Sequence, residues 1–295
     1  MGELRVALGF DMETDIGSWT PFYEGLRPGG AAILDTLAKN DVTGTFFFTT
    51  DAAEEAPEIV KAVQEGGHEV GAHTLHHETI GIPLWPIPGA FPILPEEVPN
   101  RLKQCTEAIE AIAGERPVSF RCPRLFGSTA VTNALEDLGY VADATLPMFH
   151  FRNRLEPYHP AATDWTVPGD LKLLQIPNFA DLGLTHQDPH GRDLDQWPLF
   201  RTESADALLA HIDSFVAFAT EHGVENPVLC FYMHPWEFHP MPQGPIHYGE
   251  GAVLPDPFIV KNCGDYATEQ LDILIKKLLA QGAKFYQTRQ LAEMY

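Results

Sequence analysis

Positive charge is scarce in this chain: 19 lysines and arginines stand against 41 aspartates and glutamates, a formal net charge of −22. Phosphate backbones are held by basic surface, so the shortage disfavours nucleic acid as a partner. It equally disfavours an anionic membrane or polymer on any open surface, and the simplest use of the acidity is solubility. Long apolar runs are missing too, with no stretch approaching the length of a bilayer span. Cysteine is sparse and scattered: Cys105, Cys122, Cys230 and Cys263 show no C-x-x-C spacing. Such thiols are expected to be reduced and mostly buried, serving packing rather than disulfides. The charged start, Gly2 to Arg5, runs straight into a strand-like stretch with no apolar signal region. A cytoplasmic protein is the expectation. At 44% hydrophobic over 295 residues the chain can bury a large core, expected as one domain over 1–295.

Among what is present, the pentapeptide His73-Thr74-Leu75-His76-His77 stands out. Two histidines four residues apart lie on one face of a helix, each able to hold one metal ion. A catalytic site needs a third protein ligand and an open position. The apolar stretch Leu4 to Phe10 reads as a buried strand that runs into Asp11-Met12-Glu13, and alternation sends both acids to one side. Neither signal is specific alone. Histidine pairs at this spacing arise by chance, and acids after a strand often cap the next turn.

Strand-like and helix-like stretches alternate along the chain. Strands are expected at Gly44–Thr49, Val118–Arg121, Tyr140–Ala142, Leu173–Ile176, Val228–Met233 and Ala283–Tyr286. Helices are expected over Gly30–Asn40, Ala52–Glu65, Leu94–Ala113, Ser128–Leu138, Ser204–His222 and Tyr266–Gln281. Repeated alternation argues for an α/β fold with a parallel sheet or barrel.

Five segments then fall into a recognisable order: Gly9–Glu13, the histidine pentapeptide, Arg121-Cys122-Pro123, Ala142–Pro147, and the strand ending at His234. In that order they resemble the polysaccharide deacetylase (NodB-like) family of metal-dependent amide and ester hydrolases. The D-x-E form and His234-Pro235-Trp236-Glu237 are closest in style to its intracellular peptidoglycan deacetylase-like and allantoinase-like branch. The resemblance implies a distorted, incomplete (β/α) barrel with its site at the C-terminal strand ends. It implies a divalent metal, zinc first, on Glu13, His73 and His77, with Asp11 as general base and His234 as general acid. Arg121 would orient Asp11 and Asp143 would orient His234, Asp164 being the alternative to Asp143. The activity implied is hydrolysis of a non-peptide carbon–nitrogen bond, most simply N-deacetylation of an amino sugar or small saccharide. A cyclic amide hydrolase of allantoinase type, with or without metal, and a catalytically silent saccharide-binding relative are the alternatives.

Two departures from the family pattern bear on substrate and metal. Glu13 replaces the usual aspartate and is one methylene longer. Arg124 stands where many relatives carry an aromatic residue, and such an arginine could fork a carboxylate or phosphate or simply be ion-paired. Trp236 is a second expected substrate contact. The proline-rich, apolar stretch from Glu78 to Pro99 should pack on the site or on a neighbouring subunit, and Pro235–Gly264 is similar. Together they suggest a roofed pocket for a small molecule or short saccharide, in a homo-oligomer.

Overall fold

The computed structural model describes residues 2–295. Twelve strands follow in order: β1 (Arg5–Met12), β2 (Thr45–Phe48), β3 (Glu69–Ala72), β4 (Ser119–Phe120), β5 (Ala142–Asp143), β6 (Pro160–Ala161), β7 (Asp164–Pro168), β8 (Leu174–Gln175), β9 (Val228–Met233), β10 (Ile246–Tyr248), β11 (Gly251–Val253) and β12 (Lys284–Phe285). Eight of them form one sheet in which every pairing is parallel, running β1-β2-β3-β4-β5-β8, with β9 and β12 also on β1. The sheet curls until Asn178, just past β8, meets Cys230 of β9 through a single isolated bridge. The barrel is therefore nearly closed but stitched thinly at that seam, and the expected distorted (β/α) barrel is what forms.

Burial explains why these residues make strands. From Val6 to Met12 every residue of β1 is buried, and β2 and β9 are buried throughout, as a sheet covered on both faces demands. Helices between the strands pack Leu26, Ile33, Leu37, Ile59, Val63, Leu271 and Leu274 onto it. Their starts follow the cap chemistry of the sequence: Thr49, Ser128 and Ser204 accept hydrogen bonds from Ala52, Val131 and Ala207 amides. The helix over Val98–Ala113 ends at Gly114, whose φ of 72° is the left-handed C-terminal turn.

Two expected elements differ. The helix over 52–65 is two helices, Thr50–Glu55 and Pro57–Glu65, because Ala56 precedes a proline and leaves the helical region at φ −134°, ψ 63°. The histidine pentapeptide is not helical. It leaves β3 as a turn in which Thr74 and His77 take φ of 70° and 58°. The Thr74 and Leu75 carbonyls accept hydrogen bonds from the Thr50 and Asp51 amides, so they cap the helix after β2 instead of building one of their own.

Candidate active site

Parallel pairing brings the strand ends together. Met12 aligns with Phe48, Phe48 with Ala72, Ala72 with Phe120, and Phe10 with Met233. Asp11 and Glu13 thus end β1 beside His73 after β3, Arg121 after β4 and His234 after β9. All but Arg121 line one cavity of about 460 Å³, which His77, Arg124 and Trp236 line as well.

Glu13, His73 and His77 are buried, and one ligand atom from each lies within 4.8 Å of the others. His77 Nε2 is 2.5 Å and His73 Nε2 3.5 Å from Glu13 Oε2. His73 Nδ1 lies 2.7 Å from the Arg121 carbonyl, which can only accept, so Nδ1 carries the proton and Nε2 presents its lone pair. Burial pushes the His77 pKa down, favouring the neutral imidazole that ligates metals. Glu13 is held well below the ordinary carboxylate range: burial opposes ionisation, but His77 and His73 override it. Both Glu13 oxygens are buried without a hydrogen-bond partner. A buried, ionised carboxylate with two imidazole nitrogens at 2.5 and 3.5 Å is the donor set of a divalent cation. The extra methylene of Glu13 does not prevent this convergence. His76 is exposed and bound to Asp51 instead, so it takes no part in the cluster. Among the described residues no second such cluster forms, and His186, His190 and His239 are loop histidines.

Arg121 crosses the barrel interior. Nη1 donates to Asp11 Oδ1 at 2.8 Å, Nε to the Ala144 carbonyl, and Nη2 to the Phe231 carbonyl and Asn178. Room for it exists because residue 9 is glycine: a Cβ there would lie 2.4 Å from the guanidinium.

The expected Asp143–His234 pair does not form. Asp143, the last residue of β5, is fully buried and accepts from the Thr145 hydroxyl, and its other oxygen has no partner. His234 Nδ1 is instead bonded to Glu237 Oε1 at 2.9 Å, leaving Nε2 facing Glu13 Oε1 across 3.8 Å. Glu237 lies three residues on, in the short 3₁₀ turn Pro235–Phe238, and also accepts from Trp197 Nε1 and Arg201 Nε. Burial would raise the Glu237 pKa, but Arg201 and His234 bring it down to about 2. Burial likewise lowers that of His234, but Glu237 and Glu13 reverse this and leave it raised. The turn itself is fixed from outside by Gly29, where a Cβ would collide with the Pro235 carbonyl at 1.8 Å. Asp164, the alternative, is exposed on β7 and bonds its own Thr166. Sequence reasoning thus missed Glu237 as a partner, although His-x-x-Glu spacing was its signal.

Asp143 then has a different consequence. Burial pushes its carboxyl up to about 7 from 3.8, against Thr145 and Arg121, which lower it too little. Between those values the native state holds a proton that the unfolded chain has lost, so stability falls as pH rises from about 4 to about 7. Asp143→Asn removes that slope. In urea unfolding its stability relative to wild type should improve between pH 5 and pH 8, and a difference independent of pH would refute the assignment.

The long connections roof the cavity. Trp85 is buried against Phe126 and Phe149, and with Ile87 it lines one wall. Val253, Leu254 and Pro255, at the end of the β10–β11 hairpin, line another. Trp236 stacks on His234 with ring centroids 5.3 Å apart. Arg124 reaches the cavity while donating to the His77 carbonyl. The outward side of the 78–99 segment leaves Ile82, Phe91 and Leu94 exposed.

The chain is an α/β-barrel protein with a carboxylate–imidazole cluster at its C-terminal strand ends. Residues 5–142, from β1 to the start of β5, match the family model described as polysaccharide deacetylase. The chain is 29% identical over 109 residues to the peptidoglycan-N-acetylmuramic acid deacetylase of Bacillus subtilis (strain 168), covering 37% of this chain and 38% of that protein. It is 31% identical over 119 residues to the peptidoglycan-N-acetylglucosamine deacetylase of Bacillus cereus, covering 40% of this chain and 36% of that one. The matches therefore span little more than a third of either relative's length. A crystal structure from Mycobacterium smegmatis, named for a polysaccharide deacetylase, shares the fold over 100% of this chain and 91% of that one, with a TM-score of 0.65 and 19% identity. His234 and Glu237 lie beyond the matched family segment, so their roles rest on the geometry above.

Proposed function

We propose that this chain is a metal-dependent N-deacetylase acting on an amino sugar or short saccharide. One observation carries the reading: Glu13, His73 and His77 converge within 4.8 Å on the cavity that Asp11 and His234 also face. The names of the two Bacillus relatives, both deacetylases of peptidoglycan amino sugars, support it. A divalent ion such as zinc, when held there, supplies Lewis acidity toward the acyl oxygen and a more acidic water. The rest falls to the chain. Asp11, fixed by Arg121, takes the proton of the attacking water. His234, its Nδ1–H anchored on Glu237, gives the Nε2 proton to the departing nitrogen as the carbon–nitrogen bond breaks. Acetate and a free amine result.

A cavity of about 460 Å³ suits a small molecule or a few sugar rings rather than the face of an insoluble polymer. Arg124 and Trp236 are the proposed substrate contacts. A silent binding protein has no use for an oriented base and an anchored acid together. The four free cysteines fit the reducing compartment expected from the sequence, and the exposed Ile82, Phe91 and Leu94 fit the expected association of copies.

The test is acetate release from N-acetylglucosamine oligomers and from N-acetylmuramic acid by zinc-loaded enzyme and by Asp11→Asn. Loss of a general base should slow turnover by about 10²–10⁴-fold while bound metal is retained. Turnover of the variant at the wild-type rate would refute the base, and absence of acetate release by the wild type would refute the reading itself.

A further inference from the structure

Seven of the eleven arginines pair with an acid, and the exceptions are informative. The two buried deepest have acids: Arg121 pairs with Asp11 and Arg201 with Glu237. Arg5, Arg27, Arg101, Arg116 and Arg289 pair with glutamates. Among the described residues only Arg124, Arg152, Arg154 and Arg192 have no carboxylate within ion-pair distance, and two of these four, Arg124 and Arg192, line the active-site cavity. In a chain of net charge −22, acids are abundant enough to cover them.

Both side chains are held in place by something other than an ion pair. Arg124 is half-buried, with Nη1 on the His77 carbonyl at 3.1 Å and near Thr79 Oγ1 at 3.4 Å. Burial lowers its pKa, a desolvation cost that the charge of Glu13, beyond ion-pair distance, offsets only in part. Its backbone and that of Leu125 occupy the left-handed region, at φ of 59° and 58°. Arg192 lies with its guanidinium carbon 5.0 Å from the centre of the Trp85 ring, on the cavity wall. Glu13 acts on Arg124, and Asp195 on Arg192, only through space and without an ion pair. Asp195 accepts from the Tyr232 hydroxyl and from the Trp197 amide, and Asp256 accepts from the Phe258 amide.

From this we infer that Arg124 and Arg192 form an oxyanion subsite, and that the natural substrate is a small N-acyl compound carrying a carboxylate or phosphate. The inference rests on the deacetylase reading for the acyl group but not for the anion. A planar guanidinium fork is suited to either oxyanion, and a partly desolvated one binds it more strongly than a surface lysine. The apolar walls of Trp85, Ile87 and Leu254 exclude water around the contact and strengthen it. The selectivity is local. The overall negative charge of the chain is screened within about 8 Å at physiological salt, whereas the half-buried Arg124 is much less screened.

The experiment is calorimetric binding of N-acetylmuramic acid and of its methyl ester, which differ only in the anion. N-acetylglucosamine 6-phosphate against N-acetylglucosamine forms the phosphate arm. Zinc-loaded wild type should prefer the anion in one arm by about 10- to 100-fold, as expected for charged hydrogen bonds, and the preferred arm identifies the oxyanion. Arg124→Gln and Arg192→Gln should each shrink that preference, and Arg124→Lys should keep part of it. Arg192→Gln guards the result should Arg124→Gln misfold. Equal binding of acid and ester and of phosphate and sugar, no binding of any of the four, or a preference unchanged in both glutamine variants would overturn the subsite. Because binding is the readout, a preference without acetate release would sustain the subsite while refuting the deacetylase reading. Acetate release without preference would do the reverse.

Discussion

Replacing Glu13 by alanine is expected to abolish metal binding and with it nearly all turnover. Wild type purified with zinc should carry close to one ion per chain, and Glu13→Ala close to none. Turnover should fall by at least about 10²–10³-fold, the scale of losing one preorganised electrostatic stabiliser. The thermal behaviour distinguishes loss of a ligand from loss of a fold. In the metal-free protein His77 and His73 hold Glu13 ionised despite its burial, so its removal should cost the apoprotein some stability, but folded variant should remain for the metal assay. Added zinc should raise the unfolding temperature of the wild type by mass action and leave that of the variant unmoved. His73→Ala combined with His77→Ala should behave alike. Full metal content in either variant would show that the ion sits elsewhere.

The second large effect is expected at Glu237, which joins catalysis to stability. Glu237→Gln keeps the shape but removes the charge that Arg201 and His234 share. Arg201 is then a buried cation with only carbonyl and amide partners, and breaking such a pair costs about 3–5 kcal/mol. His234 loses the carboxylate that raises its pKa, so less of the acid form stands ready for the leaving nitrogen. We expect kcat to fall by about 10²-fold, within the range of a lost general acid, with KM much less affected and metal content unchanged. A purely structural role would lower stability and leave the kcat of the folded fraction intact. Urea unfolding and steady-state kinetics on the same preparation separate the two. Asp143→Asn, by contrast, should leave His234 untouched, because the two side chains are not paired.

The chain order of the motifs was readable because a parallel barrel is a local code. Each strand is a short buried run, and each run delivers its next one or two residues to the same end of the barrel. Asp11, Glu13, His73, Arg121 and His234 could therefore be placed at strand ends from sequence, and the structure brings them together. The caps at Thr49, Ser128, Ser204 and Gly114 are local as well, their hydrogen bonds spanning only three or four residues.

What failed depended on how backbone turns and packing aim each side chain. The histidine pentapeptide has helical spacing, yet its carbonyls are claimed by the amides of a helix some 25 residues earlier, and left-handed turns at Thr74 and His77 do the work of a helical face. Asp143 sits at a strand end like the others, but its side chain is bonded to Thr145 two residues on, while a 3₁₀ turn folds Glu237 back onto His234. Arg192 lies almost 70 residues from Arg124 and reaches the same cavity only because Trp85, on a third segment, supports it. The sequence by itself determined which residues end the strands, since strand burial and register are set by runs of neighbouring side chains. Only the tertiary structure decided which acid serves which base, because a buried ion pair forms wherever packing leaves two charges no water to turn to.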